Sequence, residues 1–362
     1  MKPPRHLMRS AYMEWAKTAA QARFNLAASG VVAVPLAELP ARLQDLEISG
    51  PSYYGYAPLQ ARLAKKSGAP VECVVAAAGT SMANHLALAA VVDPGDEVLI
   101  EQPTYELLVS TARYLGAEVR RFPRRFEDGF RIDPAEIERA LTPRTRLVAL
   151  TNLHNPSSAF TEDDVLREVG ELARRAGARV LVDEVYLDAL FRPGVRSAFH
   201  LGQQFITTNS LTKVYGLSGL RCGWILAAPE LAERMWRLND LYGVIAAHPA
   251  ERLSVVALDH LERIGARAQA LLAANRARMD AWLDSRDDLR AARPPAGTVV
   301  FPRLRRGSVE ALCARLREAY ETSVVPGRFF EMPEHFRLGL GGETATLAEG
   351  LKRLAAALDE LP

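Results

Sequence analysis

The sequence predicts an α/β protein: a mostly parallel, seven-stranded sheet covered by helices, with a smaller α+β part drawn from the two ends of the chain. Three observations carry that expectation. Through the middle of the chain, short β-branched or apolar runs alternate with longer helical stretches, the pattern of buried strands joined by helical crossovers. Turn residues punctuate the helix exits, as at Pro94-Gly95 and Gly116. Beyond about residue 245 the texture changes to Arg/Ala-rich helical tracts interrupted by Pro294-Pro295.

In chain order, the expected strands are Cys73–Ala77, Glu97–Glu101, Glu118–Phe122, Thr145–Leu150, Arg179–Asp183, Phe205–Asn209 and Gly223–Ala227. Each is too short for a helix and rich in Val, Ile, Leu or Phe, or in small apolar residues. Between them fall helical patterns at Met82–Val91, Tyr105–Leu115, Pro134–Ala140, Asp163–Ala176 and Glu230–Leu238. The C-terminal third reads as one long helical tract, roughly Pro249–Ser285, then two short strand-like runs and helices at Ser308–Tyr320 and Thr344–Leu358. We therefore expect a large domain over 45–245 and a small one from 1–44 and 246–362.

Composition narrows the function. The chain has 362 residues, 49% hydrophobic and 24% charged, which is the balance of a folded globular protein and not of a disordered one. Lys+Arg 45 against Asp+Glu 43 gives a formal charge of +2 without long blocks of one sign. That argues against nucleic acid and membrane surfaces and for a small-molecule partner. Cys73, Cys222 and Cys313 are odd in number and widely spaced, with no CxxC pair, so neither a disulfide framework nor a zinc site is expected and a reducing cytoplasm is. The N-terminal charges Arg5, Arg9, Glu14 and Lys17 have no apolar run behind them, unlike a secretion signal. Residues 74–92 are the most apolar stretch, but Gly79, Thr80, Ser81, Asn84 and His85 interrupt it, and it reads as a strand end and a helix.

In open parallel sheets, ligands collect beyond the carboxyl ends of the strands, and singular residues fall there. Gly79-Thr80-Ser81 follows the first strand and opens a helix; it is either an ordinary N-cap or a phosphate site against the positive end of the helix dipole. Asp183 closes the apolar run VLVD, as a helix cap, a satisfied turn or a ligand group. Lys213 lies just past FITTN in a chain with six lysines and 39 arginines. There it could be a solvated charge, a phosphate contact or a Schiff-base nucleophile activated by desolvation and by a cation such as Arg221.

These residues sit in motifs that resemble the fold-type-I pyridoxal 5'-phosphate (PLP) enzymes of the class I/II aminotransferase family, over most of the chain. AAAGTSMANHLAL (76–88) is similar to the family's phosphate-cup helix start, EQPTYELL (101–108) to the segment with the ring-stacking aromatic, and TNLHNPSSAF (151–160) to the Asn-Pro motif. LVDEVYLD (181–188) is similar to the Asp-x-x-Tyr motif, SLTKVYGLSGLRCGW (210–224) to the Schiff-base motif and VVPGRFFEMPEHFRLGLG (324–341) to the C-terminal arginine motif. The order and spacing are those of the family.

The resemblance implies roles. Lys213 would hold PLP as a Schiff base and shuttle the proton; Asp183 would pair with the ring nitrogen. Tyr186 and Asn155 would bond the ring's 3-oxygen, and Tyr105 would stack on its face. Gly79, Thr80, Ser81, Ser210 and Arg221 would hold the phosphate. Arg337 would clamp the substrate carboxylate, with Asn155 beside it and the Gly30 main chain helping. His85 and His154 are expected to be packed polar groups and not acid–base catalysts. The family is homodimeric, with a tyrosine crossing to the neighbouring subunit's phosphate. In GPSYYGYAPLQARLA (50–64) both Tyr53 and Tyr54 fit that place, and Gln60 stands where arginine is common. Ser158 replaces the usual glycine two residues after the Asn-Pro proline, so that turn is expected to be made differently.

The implied reaction is transfer of an amino group between an α-amino acid and a 2-oxo acid. The alternatives on the same scaffold are a lyase, a decarboxylase or a cyclase. A non-catalytic PLP-binding regulator would need a DNA-binding module, for which the chain before residue 45 has no room.

Overall fold

The structure, a computed structural model, describes residues 9–361. Lys2 and Arg5 lie outside the described residues. Helix α1 (Ala11–Thr18) comes first, and Ser10 caps it by accepting a hydrogen bond from Met13 N. Strand β1 (Phe24–Asn25) and helix α2 (Ala57–Ser67) follow. Strands and helices then alternate: β2 (Val74–Ala78), α3 (Thr80–Val91), β3 (Glu97–Gln102), α4 (Glu106–Tyr114), β4 (Glu118–Pro123) and α5 (Pro134–Ala140). Next come β5 (Thr145–Thr151), α6 (Asp163–Arg175), β6 (Arg179–Asp183), β7 (Phe205–Ser210), β8 (Cys222–Leu226) and α7 (Pro229–Asn239).

Strands β2 to β8 form one seven-stranded sheet in the order β2-β8-β7-β6-β5-β3-β4. All pairings are parallel except those of β8, which runs against both neighbours. The alternation of side chains along each strand explains why the runs are apolar throughout. Val98, Leu147, Leu181 and Ile206 pack on one face with α3 and α7, whereas Leu99, Val148, Val180 and Phe205 pack on the other with α6. The register aligns Thr151, Asp183 and Thr208 side by side, so the polar ends of three central strands arrive at one edge.

Several boundaries differ from the sequence-based ones. Strands β3, β4, β5 and β7 each run one residue further, because ladder pairing and not apolarity ends them. Helix α3 starts at Thr80, two residues before the first apolar side chain, and Tyr105 is the N-cap of α4 and not its first residue. The long C-terminal tract is two helices, α8 (His248–Asp259) and α9 (Leu261–Asp284), broken where His260 leaves helical geometry at φ −118° and ψ 20°.

Six short strands, not two, occupy the remainder: β9 (Leu289–Arg290), β10 (Val299–Val300), β11 (Arg303–Leu304), β12 (Thr322–Ser323), β13 (Val325–Pro326) and β14 (Phe336–Gly339). Helix α10 (Val309–Tyr320) precedes β12, and α11 (Thr344–Asp359) follows β14. Strand β14 is the centre of an antiparallel trio with β10 and β13, and the N-terminal β1 pairs in parallel with β12. No helix among the described residues is long and apolar enough to cross a membrane.

Beneath the carboxyl edge of the sheet lies a fully buried ion pair. Arg124 Nη1 donates to Glu101 Oε2 at 2.7 Å, and its Nε donates to Phe130 O at 2.6 Å. Glu101 Oε1 accepts from both Thr151 N (2.8 Å) and Thr151 Oγ1 (2.6 Å). Every charge is therefore paired and hydrogen-bonded, which a buried pair requires. Because Thr151 Oγ1 in turn accepts from Asn155 N at 2.9 Å, the pair fixes the loop that carries Asn155.

Candidate active site

A cavity of about 380 Å³ opens beyond the carboxyl edge. Asp183 ends β6 on its floor, Lys213 follows β7, and Tyr186 stands in the turn after β6. Thr80, Ser81, Ser210 and Arg221 share its wall, as do Tyr105 and Asn155. The fold thus brings nine sequence-selected residues to one space. The other three stand just behind it. Gly79, at φ +79°, leaves room for Arg221: a Cβ there would lie 2.2 Å from Arg221 Nη2. Gly30 backs onto the Lys213 main chain, with a built Cβ 3.3 Å from Lys213 O. Arg337, in β14, is 1% exposed and reaches the cavity only through its partners.

Those partners are specific. Arg337 Nη1 donates to Asn155 Oδ1 at 2.8 Å, while Nη2 donates to Tyr12 Oη at 3.0 Å and to Ala27 O at 3.2 Å. Tyr12 lies on α1, and its ring meets that of Tyr105 edge-on at 6.0 Å. Burial pushes the Tyr12 hydroxyl up, but the Arg337 and Lys213 cations outweigh it and hold the group below its ordinary value. Lys213 Nζ donates to Ser29 Oγ at 3.2 Å.

Asp183 is buried, and desolvation pushes its carboxyl up to about 6 despite two donors. Asn84 Nδ2 gives it a 2.8 Å bond at Oδ2, and Val185 N a 3.1 Å bond at Oδ1. Burial likewise raises the Tyr105 hydroxyl, keeping it neutral. Arg221 ends a short 3-10 turn in left-handed conformation, φ +49°, and donates to Ala78 O and Ser218 O. Its guanidinium therefore lies beside the N-terminus of α3, where Thr80 Oγ1 is buried without a partner; Thr212 Oγ1, also on the cavity wall, is likewise unpaired.

Of the two histidines, His154 is fully buried, bonded to Ser157 Oγ and Pro103 O, and held well below its ordinary value by burial and by Arg124. It is a packed polar group. His85 packs its ring against Tyr114 and Tyr242, away from the cavity. Ser158 corrects the turn expectation. It adopts the left-handed φ of +63° itself, with Oγ bonded to Val299 O at 2.8 Å, so the chain keeps a glycine-type turn using a serine.

Sequence reasoning missed Tyr12, Ser29, Asn84 and Thr212. Asn84 had a signal, since it stands four residues after Thr80 and so on the same helix face. Tyr12 had none, because its place depends on how α1 docks onto a strand more than three hundred residues away.

A lysine, a buried carboxylate and a covered arginine held by neutral acceptors gather around one cavity at a parallel sheet's carboxyl edge, the setting of a small-molecule enzyme site. The chain belongs to the class I and II aminotransferases, whose family model matches residues 36–354. Among curated relatives, it is 30% identical over 351 residues to capreomycidine synthase of Streptomyces vinaceus, covering 93% of this chain and 90% of that one. It is 30% identical over 339 residues to arginine–pyruvate transaminase AruH of Pseudomonas aeruginosa, covering 88% and 85%. Among solved structures, a PLP-dependent aminotransferase from Streptococcus suis superposes with a TM-score of 0.91 at 26% identity, over 100% and 99% of the two chains. The PLP-dependent cyclase OrfR does so with 0.88 at 27%, over 99% and 98%.

The family's cofactor is pyridoxal 5'-phosphate, and the residues present fit it. The two unpaired threonine hydroxyls, the Arg221 guanidinium and the N-terminus of α3 form a donor-rich end suited to a phosphate. At the opposite end, a buried carboxylate suits a protonated ring nitrogen.

On the far side of the sheet from Asp183, Glu184 is buried and bonded to Ala198 N at 2.7 Å, and desolvation pushes its carboxyl up to about 8. An acid whose folded value is raised binds its proton more tightly folded than unfolded, so its contribution to stability declines as pH rises from about 4.5 towards 8. Glu184→Gln removes that decline. Its Tm should match wild type near pH 5 and exceed it by a few degrees at pH 8; parallel Tm curves would refute the buried, proton-holding state.

Proposed function

We propose that the chain transfers an amino group between an α-amino acid and a 2-oxo acid. The observation that carries the reading is the convergence of Lys213, Asp183 and the Asn155–Arg337 pair on one cavity. When bound, PLP supplies an electron sink for charge developing at the substrate's Cα. The rest falls to the chain. Lys213 would hold the cofactor through its Nζ, and the same amine would move the proton at Cα as general base and acid. Asp183 would keep the ring nitrogen protonated, while Asn155 and Tyr186 would bond the ring oxygen and Tyr105 would cover the ring face. Thr80, Ser81, Ser210 and Arg221 hold the phosphate, with Gly79 giving the guanidinium its approach. Arg337 fixes the α-carboxylate, the Gly30 main chain lies beside Lys213 to assist, and Tyr12 lies against Arg337.

We read the chain as a large domain over 45–245 and a small one from 1–44 with 246–362. We also infer a homodimer. Leu241, Val244, Ile245 and Ile48 are more than half exposed, an apolar surface suited to a second copy. Tyr53 is the better candidate to cross over: it is 81% exposed, whereas Tyr54 is bonded to Asp240 and Arg237 of its own protomer. The free, buried thiols favour a reducing cytoplasm.

Single-turnover mixing of holoenzyme with a panel of amino acids tests the reaction. The cofactor's absorbance should pass to that of its aminated form, with one equivalent of 2-oxo acid released. Release of ammonia or CO2, or a cyclised amino acid without oxo acid, would replace this reading with the lyase or cyclase one, which the capreomycidine synthase and OrfR relatives keep in view.

Arg337→Lys should keep PLP affinity and absorbance while lowering kcat/KM by roughly 10²-fold, because a point charge replaces a planar fork that orients the substrate. Unchanged kcat/KM would assign the carboxylate to another residue. Sedimentation at micromolar concentration should give a dimer, and Tyr53→Phe should weaken PLP binding several-fold where Tyr54→Phe does not. A fully active monomer contradicts both.

A further inference from the structure

We propose that Asn84 is the positioning residue of Asp183: with Thr208 it fixes the carboxylate's orientation and keeps it charged for the cofactor's ring. The inference rests on the reading of Asp183 as the ring-nitrogen partner and adds the group that makes it one. Asn84 is 4% exposed and Thr208 0%. Thr208 Oγ1 donates to Asn84 Oδ1 at 2.6 Å, and Asn84 Nδ2 donates to Asp183 Oδ2 at 2.8 Å. The direction of the chain is forced. An ionised carboxylate only accepts, so the amide must present its nitrogen to Asp183, and the oxygen left over needs the donor that Thr208 provides.

Val185 N fills one further position on Oδ1, so Asp183 is held from two sides and retains acceptor capacity for the cavity. Asn84 lies one turn along α3 from Thr80, about 6 Å of helix rise. One rigid helix therefore sets both the phosphate end, through Thr80 and Ser81, and the ring-nitrogen end, through Asn84. The ionisable groups that face Asp183 are Glu101 from β3, Lys213 beyond β7 and Tyr105 before α4. Glu101 opposes ionisation and Lys213 supports it, while burial is the largest influence and is unfavourable. The hydrogen bond donated by Asn84 is the largest influence opposing burial.

The test is the apparent Kd for PLP, read by fluorescence quenching from pH 5.5 to 8.5, for wild type, Asn84→Leu, Thr208→Val and Asp183→Asn. Circular dichroism checks each fold. Wild-type affinity should weaken on the acid side, near pH 6, where Asp183 of the free protein takes up a proton. Asn84→Leu should carry that acid limb upward by about one pH unit, costing roughly 3-fold at pH 6.5, approaching 10-fold at pH 5.5, and little at pH 8.5. Thr208→Val should shift it the same way by less. A uniform loss at all pH values, or an unmoved limb, overturns the proposal. Where Asn84→Leu does not fold, an unmoved limb in Thr208→Val overturns it. Asp183→Asn separates the two readings. If it binds PLP as tightly as wild type at pH 7.5, the ring-nitrogen role of Asp183 has failed and the Asn84 role falls with it. If it binds weakly while Asn84→Leu behaves as wild type, only the Asn84 role fails.

Discussion

Burial of a carboxylate at the end of the central strand is the constraint around which the site is arranged. Asp183 has lost its water, and left alone it would be neutral near pH 7. Two fixed donors, from α3 and from the turn after β6, keep its value at about 6. Glu101, one layer below, pushes the other way, and its own pairing with Arg124 limits that effect. The contrast with the next residue is instructive. Successive side chains on a strand point to opposite faces, so Glu184 enters a different environment. There backbone N–H of Ala198 is its main donor, and its value rises to about 8. Adjacent acids thus reach neutral pH in different states because of the donors each face supplies.

The cations are handled in the opposite manner. Among the described residues, neither Lys213, Arg221 nor Arg337 forms a salt bridge, although the chain's surface is laced with them, from Arg125–Glu136 to Arg315–Glu360. Each is held by neutral acceptors instead: Ser29 Oγ for Lys213, Ala78 O and Ser218 O for Arg221, Asn155 Oδ1, Tyr12 Oη and Ala27 O for Arg337. Neutral acceptors fix orientation without cancelling charge. The positive potential is therefore kept for anions arriving in the cavity, and it already depresses the Tyr12 hydroxyl.

Most of the large sheet was legible in the sequence because strands buried on both faces must be continuously apolar, and a run such as RVLVD has few other uses. The strand-end residues were legible for the same reason, since a polar group after such a run stands out. What escaped the sequence were features that one segment imposes on another. Two-residue strands such as β1 and β12 exist only because their partners are present, and no local pattern announces them. The break at His260 lies in a tract whose Ala-, Leu- and Arg-rich helical pattern continues on both sides of it. Ser158 takes a conformation ordinarily left to glycine because its hydroxyl bonds Val299 O in a distant segment. Asn84 was visible as a polar residue interrupting an apolar stretch, but its partners on β6 and β7 were not.

The position of Tyr12 ties Arg337 to the N-terminal segment. Arg337 is almost fully covered, and the hydroxyl at its Nη2 belongs to α1, the helix whose Met13 and Trp15 also line the cavity. On the proposed reading, a substrate carboxylate gripping both terminal nitrogens would compete with Tyr12 Oη for Nη2. Because Tyr12 also packs against Tyr105, Phe329 and Phe330, displacing its hydroxyl disturbs an aromatic cluster and not one side chain.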